Sequence, residues 1–96
     1  MIIIYRLFSK SCNSFYVGST TKTMKYRLEK HKSKSYEAPN RKVYKCILGN
    51  GGFKEWEMEA LETFESDNAV ERRIREQHYI DELKPDLNAR LAINIG

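Results

Sequence analysis

The sequence predicts an α/β (α+β) fold: a small three-stranded, mainly antiparallel sheet flanked by helices, in the order β-β-α-α-β-α. Three observations carry this. Two β-branched and aromatic stretches near the start are joined by a short polar link. A regular apolar/acidic alternation follows a glycine pair at Gly51-Gly52. Three further segments carry helical spacing with caps and stops.

The elements follow in order. Ile2 to Phe8 (IIIYRLF) reads as a strand. Ser9 to Ser14 is turn material, and Phe15 to Gly18 reads as a second strand, which makes an antiparallel hairpin. Thr20 to about Lys34 reads as a helix capped by Thr20 or Thr21. Met24 and Leu28 form one i,i+4 pair, and Arg27 and His31 form another on an adjacent stripe. Pro39 suits the start of a second helix with Val43, Cys46 and Ile47 on one stripe, ended by Gly49-Asn50-Gly51-Gly52. In Phe53 to Phe64, Trp56, Met58, Ala60 and Phe64 share one face and Glu55, Glu57 and Glu59 the other, so a strand is expected. Ser66 to Leu83 is the longest helix, capped by Ser66, Asp67 or Asn68 and stopped by Pro85.

The 96 residues fit a single domain, with a core over about 1–88 and a short tail, 89–96, whose Leu and Ile can pack on the body. Hydrophobic residues at 41% are too many for disorder. The longest apolar run, Met1 to Tyr5, is far below membrane-spanning length and lacks the flanks of a signal peptide. The expectation is a soluble, intracellular protein, cytoplasmic or nuclear and not secreted, with no membrane partner. Cys12 and Cys46 have no metal-like spacing, alone or with His31 and His78, and are expected as free thiols.

Charge is unevenly placed. Residues 1–48 hold 11 Lys/Arg against 2 Asp/Glu, a net +9, whereas residues 49–96 hold 6 against 11, a net −5. Such asymmetry suits a face built for a polyanion, or two faces that attract each other within the fold. Lys22, Lys25, Arg27, Lys30, Lys32 and Lys34 concentrate six cations around the first helix, as phosphate binding requires.

Several polar groups sit where apolar ones would be easier. At about 100° per residue, Glu76 points within about 40° of Ala69, Ile80 and Leu83, on the face that should pack on the sheet. A carboxylate there is costly unless it is paired with an arginine such as Arg73, bound to a metal or catalytic. The hairpin brings Tyr5 and Tyr16 near one another, and a phenol can relay a proton to or from water. Arg27 offers a planar fork that matches phosphate oxygens. His31, one turn on, can share a proton or a phosphate contact, while His78 reads as a surface residue.

These motifs resemble the GIY-YIG nucleases over about residues 1–88. Ile3-Ile4-Tyr5 stands at the first signature triplet and Tyr16-Val17-Gly18 at the second, and Gly18-Ser19-Thr20 leads into a helix bearing Arg27 and His31. Asn50-Gly51-Gly52 and Trp56 look like a subgroup pattern. Glu76 to Ile80 and Lys84 to Asn88 are similar to the closing glutamate and asparagine segments. The resemblance implies a divalent-metal-dependent endonuclease acting on DNA. Tyr5 and Tyr16 would line the site, one of them helping to deprotonate water. Arg27 would bind the scissile phosphate, and Glu76 would hold one Mg²⁺ or Mn²⁺. Asn88 would support the site from behind, and Gly18 would permit close backbone approach. Ile3 replaces the first triplet's glycine. The alternatives are a non-catalytic nucleic-acid-binding module on the same fold, or an interaction domain whose acidic strand, Glu55 to Glu65, meets a basic partner. Target choice would come from this domain, a homodimer or a partner protein.

Overall fold

A computed structural model describes residues 1–10 and 12–88; the tail expected over 89–96 lies outside the described residues. Three strands, β1 (Ile2–Ser9), β2 (Cys12–Thr20) and β3 (Glu57–Phe64), form one antiparallel sheet in the order β2-β1-β3. Helices α1 (Met24–Glu37), α2 (Lys42–Gly49) and α3 (Ala69–Leu83) flank it, and a 3₁₀ turn, Phe53–Glu55, precedes β3. The chain order is the expected β-β-α-α-β-α.

β1 is the central strand and carries the longest apolar run, so both its faces are buried. Its alternation splits the core in two. Leu7 faces α2 and joins Val43, Tyr44, Ile47, Trp56 and Leu87. Ile2 and Ile4 face α3 and join Val17 and Ile80. Tyr5 lies on the α1 side, where its hydroxyl meets His31.

Several boundaries differ from expectation, each for a local reason. The hairpin is tighter, because β2 starts at Cys12, paired with Ser9 across an irregularity at Phe8/Ser9. β2 also runs on to Thr20, paired with Ile3, so Thr20 is strand and not cap. Thr20 Oγ1 instead accepts from the Lys22 amide at 3.0 Å, closing a turn, and Thr23 caps α1 by accepting from the Tyr26 amide at 3.1 Å. Lys22 therefore precedes α1. α2 starts at Lys42, after Pro39, and ends at Gly49, where Gly51 and Gly52 take φ of 93° and 76° that glycine adopts without strain. Asn68 caps α3, its side chain accepting from the Val70 amide at 2.8 Å, and Lys84 closes it in the left-handed region before Pro85.

The expected face of β3 is corrected. Met58 pairs with Leu7 and Ala60 with Tyr5, but Glu62 pairs with Ile4 and Phe64 with Ile2. Leu61 is the extra residue, and it transfers the rest of the strand to the other face. Met58 thus packs on the α2 side and Phe64 on the α3 side, while Ala60 is exposed. Phe53–Glu55 is 3₁₀ and not strand, and Trp56 is buried, its indole donating to the Asn50 carbonyl at 3.3 Å. Ala69 and Leu83, expected to pack beside Glu76, are exposed, leaving Ile80 as the buried residue of α3. Among the described residues no helix is long and apolar enough to cross a membrane.

Candidate active site

The site is built around the outer edge of β2. Register sets Tyr5 opposite Gly18 and Leu7 opposite Tyr16, so the two tyrosines are diagonal neighbours on the α1 face. A side chain at position 18 would collide: a Cβ on Gly18 would lie 2.6 Å from Tyr5 Oη and 2.9 Å from Tyr16 Cε1. Gly18 is thus the gap into which both rings lean.

α1 supplies the next two groups. Arg27 and His31 lie one turn apart on the face turned to the sheet. Arg27 Nε donates to Tyr5 Oη at 3.0 Å, which leaves its terminal nitrogens for another acceptor. His31, 2% exposed, lies between two phenols: Nε2 is 2.7 Å from Tyr5 Oη and Nδ1 is 2.9 Å from Tyr44 Oη. Its ring also meets those of Tyr5, Tyr16 and Tyr44 edge-on. Burial, with the charges of Arg27 and Arg41, pushes the His31 pKa down to about 3. The imidazole is therefore neutral at pH 7, with one nitrogen donating and the other accepting. Burial raises the Tyr5 phenol, aided by Tyr16 and opposed by Arg27. Burial and then the charge of Glu76 raise the Tyr16 phenol.

Glu76 comes from α3, on the opposite face of the sheet, and meets the others because β2 is an edge strand. It is half-buried and accepts a hydrogen bond from the Ser19 hydroxyl. Burial lifts its carboxyl above the ordinary range; the Ser19 hydroxyl, Arg72, Arg27 and Arg73 hold the rise back. Glu76 forms no ion pair within 4 Å among the described residues, so the alternative of a closed pair with Arg73 is not realised. Among the described residues no group of three or more His, Cys, Asp or Glu is placed to hold a metal ion together. A single carboxylate whose Oε2 has no hydrogen-bond partner among the described residues fits a hard cation that keeps several waters and completes its shell with substrate phosphate oxygens.

Asn88 clamps the same edge. Its Oδ1 accepts from the Val17 amide at 3.0 Å, and its Nδ2 donates to the Val17 carbonyl at 2.8 Å. The Leu87 amide donates to the Phe15 carbonyl at 3.2 Å, and Asp86 Oδ1 accepts from the Phe15 amide at 3.1 Å. Residues 86–88 thus occupy the edge at Phe15 and Val17 and stop short of Ser19.

The structure therefore brings together Tyr5, Tyr16, Gly18, Arg27, His31 and Glu76, with Asn88 behind them. The lysines stand outside this cluster. Lys22, Lys25 and Lys30 are exposed, with Lys30 Nζ 5.4 Å from the Tyr26 ring. Lys32 pairs with Glu29 at 3.5 Å and Lys34 with Glu37 at 3.8 Å. Ile3, at the motif glycine's place, is 6% exposed and lies within the sheet between Thr20 and Thr63. Cys12 and Cys46 are free thiols that pack on the α2-side core. Sequence reasoning missed Ser19 and Tyr44. Ser19 was legible as the polar partner of Val17 at period two, and Tyr44 as a phenol within the Val43/Ile47 stripe that would need a partner. A model of the GIY-YIG catalytic domain matches residues 1–90 of the chain. No curated protein and no solved structure matches it.

Proposed function

The chain belongs to the GIY-YIG catalytic-domain family, and from that premise we propose that it is an endonuclease that hydrolyses DNA phosphodiester bonds with one divalent cation, Mg²⁺ or Mn²⁺. The observation that supports this most is the convergence of Arg27, two phenols and Glu76 on the edge of β2 beside Gly18.

Each group has a task that its surroundings suit. Arg27, anchored through Nε to Tyr5, directs its terminal nitrogens to the scissile phosphate and stabilises charge that develops there. One of the two phenols takes the proton of the attacking water. Where that phenol is Tyr5, its own proton passes to Nε2 of the neutral His31 and returns once the product leaves, while Nδ1 keeps its proton on the hydrogen bond to Tyr44 Oη. Tyr16 is the more open of the two to water. Glu76 would hold the cation, which supplies Lewis-acid polarisation of the phosphate and of the leaving oxygen. Ser19 orients that carboxylate, and Asn88 keeps β2 in place.

Purified protein with plasmid DNA and Mg²⁺ tests the reading. The wild type should cut, and Arg27→Ala and Glu76→Ala should fold but lose about 10²–10³ in rate, the usual effect of removing a charge-stabilising group. Variants that cut as fast as wild type would end the assignment. Salt-sensitive DNA binding without cleavage would leave the non-catalytic alternative. Tyr5→Phe and Tyr16→Phe identify the base by which loses more in kcat, about 10²–10⁴ for an acid–base group.

A further inference from the structure

Two contacts between β2 and α3, and a cavity just past the end of β2, form a ladder. Val17 and Ile80 share a core cluster, Ser19 donates to Glu76, and Thr21 and Arg72 line one cavity. Two residues advance a strand by about 6.6 Å, and four residues advance a helix by about 6 Å. The ladder therefore stays in step as β2 runs up and α3 runs down. Its first rung is apolar and its second holds the candidate metal carboxylate. The third holds an arginine.

Arg72 differs from its neighbour Arg75, which is engaged by Glu62 at 3.5 Å. Arg72 Nε is buried and has no hydrogen-bond partner among the described residues, and its guanidinium is in no ion pair there. Asp67 shares its cavity but does not pair with it. A buried N–H without an acceptor is rare and costly, and calls for a reason. The cavity beside it is small, about 110 Å³, and is lined by Ile2, Thr21, Ser66 and Asn68 as well as Arg72. Glu76 lies one helical turn along α3 from Arg72, near enough for the two charges to interact. A nucleic-acid strand rises about 3.4 Å per nucleotide, so the step from Glu76 to Arg72 covers one to two nucleotides.

We propose that Arg72 binds the phosphate next to the scissile one, so that the substrate strand runs along the β2–α3 groove from Glu76 toward the start of α3. This rests on the nuclease reading above. Arg27 and Arg72 then grip successive phosphates on either side of Glu76. The guanidinium supplies donors in a fixed fork, and Thr21 supplies a hydroxyl on the facing wall.

The test measures binding of a fluorescent DNA duplex in EDTA at several salt concentrations, for wild type and Arg72→Gln. Arg72→Gln should bind several-fold more weakly at low salt, and its slope of log K against log salt should be shallower by about 0.9, one phosphate contact. A folded Arg72→Gln with wild-type affinity and slope overturns the proposal. A second arm uses wild-type protein and duplexes in which single phosphates around the cut site are replaced by neutral methylphosphonates. One neighbour of the scissile phosphate should weaken binding as much as Arg72→Gln does, and the two changes should not add. No sensitive neighbour also overturns it, whether or not the variant folds. Wild type that neither binds nor cuts DNA removes the nuclease reading and this inference together. Wild type that binds and cuts, with Arg72→Gln indistinguishable, removes this inference alone.

Discussion

His31 shows how one residue's surroundings decide its chemistry. From sequence it is a helical histidine one turn from Arg27, free to carry a proton or touch a phosphate. In the fold it is sealed between Tyr5 and Tyr44, and its pKa falls to about 3. At rest near pH 7 it is therefore a neutral imidazole and offers a phosphate no positive charge. Its linkage to stability has a definite sign. Between about 6.5, the ordinary value, and about 3, the unfolded chain binds a proton that the folded chain refuses. Stability should be steady above pH 6.5 and fall as pH drops through that window. Thermal melts from pH 7 to 4 check this. His31→Gln should be less stable at pH 7 but lose less on acidification. Glu76, whose pKa is raised, works in the opposite direction in both proteins, so the difference isolates His31.

At the scale of elements, β2 is the strand on which the site depends. An edge strand exposes backbone groups that can pair with anything nearby. Residues 86–88 take up those groups at Phe15 and Val17, and Asn88 does so with both ends of its amide. Asn88→Ala should destabilise the protein by about 1–2 kcal/mol through two lost hydrogen bonds. It should also speed hydrogen exchange of the Val17 amide more than that of amides in β1. Unchanged exchange at Val17 would show that the clamp is dispensable. The bulge at Leu61 is the counterpart in β3: it turns Phe64 toward α3 and sets Glu62 against Arg75 and Tyr79. The alternation in the sequence shows a strand but not the extra residue, because a bulge is defined by the partner's register.

Across the whole molecule, the charge asymmetry becomes a spatial one. The acidic strand β3 is one edge of the sheet, and the candidate site is built along the other edge, β2. Some of the opposite charges do meet within the fold, since Arg6 pairs with Glu59 at 3.0 Å and the Met1 amino group with Glu65 at 3.2 Å. Lys22, Lys25 and Lys30 remain exposed and without an acidic partner among the described residues. Lys32 and Lys34 each have a glutamate. These lysines should therefore contribute unequally to DNA binding. Replacing Lys22, Lys25 and Lys30 by Gln should reduce the salt slope by about 0.9 for each lysine that meets a phosphate. The Lys32→Gln, Lys34→Gln double variant should reduce it less per residue, because a phosphate must compete with the existing pair. Equal reductions would show that the two glutamates do not matter.

What the amino-acid order determined alone is whatever depends on near neighbours along the chain. The hairpin, the helical stripes, a cap among Ser66, Asp67 and Asn68 and the stop at Pro85 follow from local sterics and periodicity, and with them the β-β-α-α-β-α order. The candidate residues Tyr5, Tyr16, Arg27 and Glu76 were visible as polar groups in awkward places. Only the tertiary structure decided that Glu76, from one face of the sheet, meets Ser19 and approaches the phenols of the other face across an edge strand. It also decided that His31 is buried neutral against Tyr44, and that Arg72, one turn from Glu76, has no ion-pair partner among the described residues. These facts depend on register and on which strand lies outermost. Both are settled when distant segments compete to bury the same apolar faces, and no local stretch of sequence contains that competition.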